Sequence, residues 1–242
     1  MDRVTPEECV RGVAGPVGKL GGAFMFDADV FARGQELGLD LWAWYHCGRG
    51  GVLGSPDASV VVAAFGFFPP DLQTKAWNKG VAVMDPAVAA QHYAEACAEY
   101  GRRRFSVEGA DRLAELLTLA LDSAEIAGLP LFAGWRKKLY DGPSDGPARL
   151  ALALMAAREH RGGSHLLACV AAGVPPLNAV MSGRYGGTNA EFFGWPKPWP
   201  DADEYADVMA QVEKTTDAIV RPAFAALDEG ERAELVAGLR AL

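Results

Sequence analysis

The sequence has no pair of cysteines at the spacing of a zinc ribbon or a thioredoxin-like site. Its four cysteines, Cys9, Cys47, Cys97 and Cys169, stand far apart, so a Cys-x-x-Cys chemistry is unsupported. Residues 1–8 contain no basic-then-apolar leader. No apolar run approaches the ~18 residues of a membrane span. The expectation is a cytoplasmic protein with no membrane partner, whose cysteines are reduced thiols. Cys47 then reads as a buried thiol, because no pattern places a base beside it.

Basic residues are also scarce. Lys and Arg number 23 against 31 Asp and Glu, for a net charge of −8. Nucleic-acid affinity comes largely from Lys and Arg neutralising phosphates. The clusters Arg102-Arg103-Arg104 and Arg136-Lys137-Lys138 read as solvated helix ends or loop, so nucleic acid is not expected as a partner. Strand-like alternation is nearly absent. The glycine-rich segments 48–54 and 183–187 therefore lack the preceding strand that a dinucleotide fingerprint or a P-loop needs. There is no internal repeat and no low-complexity tail.

What remains is an all-α pattern. Half of the 242 residues are hydrophobic and 22% are charged, a balance that builds a substantial core. Thr5-Pro6-Glu7-Glu8 forms a capping box with proline at the first helical position. Ser55-Pro56-Asp57 and Asp85-Pro86 open further helices, and Pro69-Pro70 closes the apolar run that ends at Phe68. In residues 106–127, Leu113, Leu116, Leu117, Ala120 and Leu121 recur at helical spacing and predict one buried stripe. The Gly- and Pro-rich stretch 129–144 reads as a loop connecting an N-terminal helical half (1–128) to a C-terminal one (145–242). Gly162-Gly163 should weaken or kink the helix that begins near Asp145, at about 1 kcal/mol per glycine. Residues 183–200 read as irregular, followed by two closing helices.

Two clusters could carry chemistry. Glu159-His160-Arg161-Gly162-Gly163-Ser164-His165 places two histidines, an arginine, a carboxylate and a hydroxyl within seven residues. Facing a pocket, His160 or His165 would move a proton and Arg161 would hold a carboxylate or enolate. The competing reading is a polar helix face with local hydrogen bonds. On a straight helix His160 and His165 lie about 140° apart, so they converge as metal ligands only if the glycines break the helix. In the second cluster, residues 42–54, Trp42, Tyr45, His46 and Arg49 would line an aromatic pocket with Phe65. The alternative there is core aromatics and an arginine that caps a helix.

These clusters resemble the motifs of an actinobacterial helix-turn-helix family with MarR-like winged-helix character. Tyr45-His46-Cys47-Gly48-Arg49-Gly50-Gly51-Val52-Leu53-Gly54 is similar to that family's Tyr-Phe-Ala-Gly-Arg-Ala-Ala-Pro-Leu-Gly. His160-Arg161-Gly162-Gly163-Ser164-His165 is similar to its His-Arg-Gly-Asp-x-His. The resemblance implies two related helix-turn-helix-like halves with little or no sheet. It carries over Arg49, His160, Arg161 and His165 as positions, without a reaction. The chain departs from the pattern where the family has an aspartate (Gly163) and an N-terminal histidine (Gly18). The winged-helix stretch looks shortened and replaced by residues 183–200. Asn178, Arg184 and Asn189 are the only nearby side chains suited to reading bases.

The expected protein is a small-molecule enzyme or binding protein of specialised metabolism that forms a homodimer. Chemistry of the lyase, isomerase or cyclase type would need no cofactor. His160, His165 and Arg161 would be catalytic; Arg49, His46, Tyr45, Trp42 and Phe65 would bind substrate. The alternatives are a ligand-responsive transcription regulator and, third, a haem or metal protein.

Overall fold

The computed structural model describes residues 3–242. Thirteen α-helices form, and no strand occurs among the described residues. They are α1 (Pro6–Ala23), α2 (Ala28–Glu36), α3 (Leu41–Ala43), α4 (Ala58–Phe65), α5 (Pro70–Val81), α6 (Pro86–Arg104), α7 (Ala110–Asp122), α8 (Pro130–Asp141), α9 (Gly146–Ala171), α10 (Pro176–Met181), α11 (Gly186–Phe192), α12 (Ala206–Phe224) and α13 (Glu229–Ala241). The all-α expectation is met. No helix among the described residues is long and apolar enough to cross a membrane.

The helix starts follow local chemistry. The Thr5 hydroxyl accepts from the Glu8 backbone N–H at 3.2 Å, and Glu8 Oε2 accepts from the Thr5 N–H at 2.8 Å. Asp228 and Glu231 form the same reciprocal box at the start of α13, and the Asp85 and Asp145 carboxylates cap α6 and α9 by accepting from backbone N–H groups. The cap of α4 is Asp57 rather than Ser55; its carboxylate accepts from the Ser59 N–H at 2.8 Å.

Helix α9 is the axis of the molecule. Its 26 residues span roughly 39 Å at the standard rise. Leu150 to Ala157 are all buried. A helix apolar on every side needs neighbours on every side, and α1, α6, α7, α8 and α12 supply them. The approach of α1 is close because Gly21 has no side chain: a Cβ there would stand 2.5 Å from the Leu154 carbonyl oxygen. The predicted stripe of α7 is buried against α9. The main core draws on residues from Cys9 to Leu239.

Three sequence expectations are corrected. Residues 130–141 of the expected connecting loop form helix α8. Pro130 sits at the first helical position, where its missing N–H costs nothing, and Leu131, Phe132, Trp135 and Leu139 are buried. Gly162-Gly163 neither breaks nor ends α9, which runs on to Ala171, because packing along the helix outweighs a local propensity cost of about 2 kcal/mol. Within the stretch read as irregular, residues 186–192 form α11.

Candidate functional site

Beyond Ala157 the character of α9 changes. The sequence Arg158-Glu159-His160-Arg161-Gly162-Gly163-Ser164-His165 follows the buried apolar run, and one side of this half of α9 forms the wall of a cavity of about 960 Å3. Small-molecule sites are commonly about 300–1,000 Å3. Helix α1 supplies another wall, α4 and the start of α8 two more, and α10 and α11 contribute their apolar faces. Phe192, the last residue of α11, packs with tilted rings on Trp42 at 5.4 Å and on Phe26 at 6.1 Å, and Phe193 packs on Phe68 at 4.4 Å. These contacts tie the α11 side of the cavity to α3 and to the segments that follow α1 and α4.

Residues 44–48 form a π turn, a feature often found at functional sites. Continuing into Arg49, it points the ring of Tyr45 and the Arg49 guanidinium together. Arg49 Nη1 donates to the Tyr45 hydroxyl at 2.8 Å. Arg49 is 7% exposed and Glu159 2%. They form a bidentate pair: Nε donates to Oε1 at 2.9 Å and Nη2 to Oε2 at 2.8 Å. Arg158 Nη1 adds a third bond to Oε1 at 2.9 Å. Burial raises the Glu159 pKa, but Arg49 and Arg158 outweigh it and hold the carboxyl below its ordinary range. The Phe65 ring lies 4.2 Å from the Arg49 guanidinium carbon.

Of the residues singled out from sequence, Trp42, Tyr45, Arg49, Phe65, Arg161 and His165 line this one cavity, so the two motifs meet. His160 and His46 are not among its wall residues. Because α9 is unbroken, His160 faces away from His165; it is buried with its ring 4.6 Å from that of Phe132. Burial, with the charge of Arg136, lowers its pKa to about 4. His46 is sealed behind the wall, stacked on Phe65 at 5.1 Å. Its Nδ1 lies 2.9 Å from the Trp42 carbonyl oxygen, which places the proton there, and Nε2 is buried without a partner. Burial lowers its pKa to about 4, with a further push from Arg49.

Arg161 does not reach freely into the cavity. It donates to Asp217 and Glu213 of α12, each at 2.7 Å. His165 Nδ1 lies 3.3 Å from Thr216 Oγ1 and 3.4 Å from Glu213 Oε1. Burial lowers the His165 pKa, Glu213 opposing and Arg161 adding to the effect. All four cysteines are buried, and burial raises Cys47 to about 12, as a structural thiol requires. No group of three or more His, Cys, Asp or Glu side chains among the described residues could hold a metal ion.

Sequence reasoning gave no role to Arg158 or Glu159 and did not find Phe192 or Phe193. Gly18 and Gly163, where the chain departs from the resembled pattern, both lie in the wall. A Cβ at Gly163 would meet Leu129 at 2.7 Å, whereas one at Gly162 or Gly18 would meet nothing within 4 Å. Gly162→Ala is therefore expected to stabilise the protein by about 0.5–1 kcal/mol, by relieving the helix of a glycine. Guanidinium unfolding checks this; a loss of stability would mean that α9 has no open space at that point.

A family model described as a helix-turn-helix family matches residues 10–242. No curated protein and no solved structure matches the chain.

Proposed function

The chain belongs to this helix-turn-helix family, and we propose that it is a small-molecule-binding protein whose ligand occupies the cavity between α1, α4, α9 and α11. The observation that carries the proposal is the cavity itself: about 960 Å3, walled largely by aromatic and aliphatic side chains, with a few convergent charged groups. Apolar walls with sparse polar groups are the usual composition of a ligand site. An acid–base role would fall to His165, the one histidine in the wall. The engagement of its Nδ1 with Thr216 and Glu213 and the distance of His160 from the cavity favour binding over turnover.

Titration with the neutral fluorescent probe N-phenyl-1-naphthylamine tests the proposal. One saturable site is expected, with a rise in Tm as the probe stabilises the folded state. Non-saturable binding, or none, would contradict it.

The family match favours a second reading, a ligand-responsive transcription regulator. Helices α10 and α11 pack as a short pair and would be the reading unit. Their surroundings count against it. Asn189 lines the cavity, and Asn178 donates to Glu204 at 3.3 Å. Residues 175–205 carry Glu191, Asp201, Asp203 and Glu204 against only Arg184 and Lys197. A mixed-sequence duplex titrated at low salt, where counterion release most favours association, is expected to give no detectable complex. Salt-sensitive binding would turn the account towards the regulator.

A further inference from the structure

We infer that the ligand is an apolar molecule bearing a single acidic group, and that its anion sits on the guanidinium of Arg158. The inference rests on the cavity being a ligand site, as proposed above, and adds the chemistry that the site selects.

Lys19 lines the cavity as an exposed side chain; among the buried groups of the wall the charges do not balance. Glu159 stands between two guanidiniums: its Oε1 accepts from Arg49 Nε and Arg158 Nη1, and its Oε2 from Arg49 Nη2. Two cations share one carboxylate, so this cluster carries one positive charge in excess. The other carboxylate in the wall, Glu213, is taken up by Arg161 and His165. Neither carboxylate is free to serve a cationic ligand.

Arg49 is committed on both of its edges, to Glu159 and to the Tyr45 hydroxyl. Arg158 is not. Its Nη1 bond to Glu159 is its one hydrogen bond among the described residues, which leaves the donors on Nε and Nη2. Its side chain is 29% exposed and lines the cavity.

The facing wall closes on Arg158 at one point and opens at the next turn. Helix α1 presents Gly22 and Gly18 to the cavity; it passes so near at Gly22 that a Cβ there would stand 3.3 Å from Arg158 Nε, while one at Gly18 would meet nothing within 4 Å. The Nη2 amino group, which has no partner among the described residues, is suited to a charge-assisted hydrogen bond with a carboxylate. Apolar walls lower the local dielectric and so strengthen such a pairing. A monoanion cancels the excess charge, while the aromatic walls take the apolar body.

The test uses a matched fluorescent pair, pyrenebutyric acid and pyrenebutanol, titrated against the whole protein near neutral pH. The acid is expected to bind about tenfold tighter than the alcohol, the usual advantage of one charge-assisted contact. Arg158→Met should weaken the acid to the level of the alcohol and leave the alcohol unchanged, with the near-ultraviolet circular dichroism of the wild type. If that variant does not fold, Lys19→Met decides: the acid-to-alcohol ratio is expected to stay at the wild-type value, and its loss would place the anion on Lys19 and overturn the assignment to Arg158. Equal affinities for the two probes overturn this inference and leave the ligand site standing. Binding of neither probe overturns both.

Discussion

Glu159→Leu is expected to destabilise the protein by about 3–5 kcal/mol, the usual cost of removing one partner from a buried ion pair. Arg49 would remain buried with no carboxylate, held only by the Tyr45 hydroxyl and the Phe65 face. Arg49→Met should cost less. Glu159 would keep Arg158, its second guanidinium, at 2.9 Å, so no charge is stranded. The double variant Arg49→Met/Glu159→Leu should recover much of the loss, since an apolar pair of similar volume replaces the ions. Chemical denaturation of the three variants measures the cycle. A Glu159→Leu variant within about 1 kcal/mol of the wild type would contradict the buried cluster, as would an Arg49→Met variant less stable than Glu159→Leu.

Stability is expected to fall by roughly 3–4 kcal/mol between pH 7 and pH 5, through His46 and His160. Both have folded-state pKa values lowered to about 4, below the ordinary value near 6.5. In that window the unfolded chain takes up protons that the folded protein refuses. The stabilisation is complete above pH 6.5 and drains away as the pH falls towards 4. Burial lowers His165 as well, which adds to the effect in the same direction. Glu159 acts later: its lowered pKa contributes stability above the ordinary glutamate value that is lost as the pH falls below it. The physical reason for His46 is plain, since its Nε2 has no acceptor and lies among Phe65, Phe68, Trp42 and Tyr45. Denaturation midpoints at the two pH values test this, and His160→Phe should flatten the dependence by about half. A midpoint that does not change between pH 7 and pH 5 would contradict the burial of the two rings.

Much of this architecture is legible in the sequence, because helix caps are local. Thr5, Asp85, Asp145 and Asp228 each announce a helix through their own side chain. Helix α8 was not legible, because Gly128, Pro130 and Gly134 look like a connection. Pro130 is in fact the helix start, and Gly134 makes room for Val52, whose Cβ would lie 2.6 Å from a Cβ there. Nothing local to residues 128–147 reveals Val52. The same holds for the unbroken α9, whose glycines are overruled by neighbours distant in the chain.

Residue type marks each of the two motifs as a candidate site, but it does not show that they meet in one cavity, nor the pairing inside it. A buried arginine needs an acidic partner, but the chain offers 31 acidic residues and no rule that selects one 110 positions away. Glu159 sits beside two residues that attract attention as chemistry, His160 and Arg161. Its own role is to hold Arg49 and Arg158 in place, and that shows only when all three side chains are seen together.

The central claim is that the cavity holds a small molecule against α9, and Gly162→Phe tests it most directly. Gly162 lies in the cavity wall, and a Cβ there would stand in open space, with no neighbour within 4 Å. The account predicts a folded variant with wild-type near-ultraviolet circular dichroism and at least a tenfold loss of affinity for N-phenyl-1-naphthylamine. A folded variant that binds the probe as tightly as the wild type would contradict it.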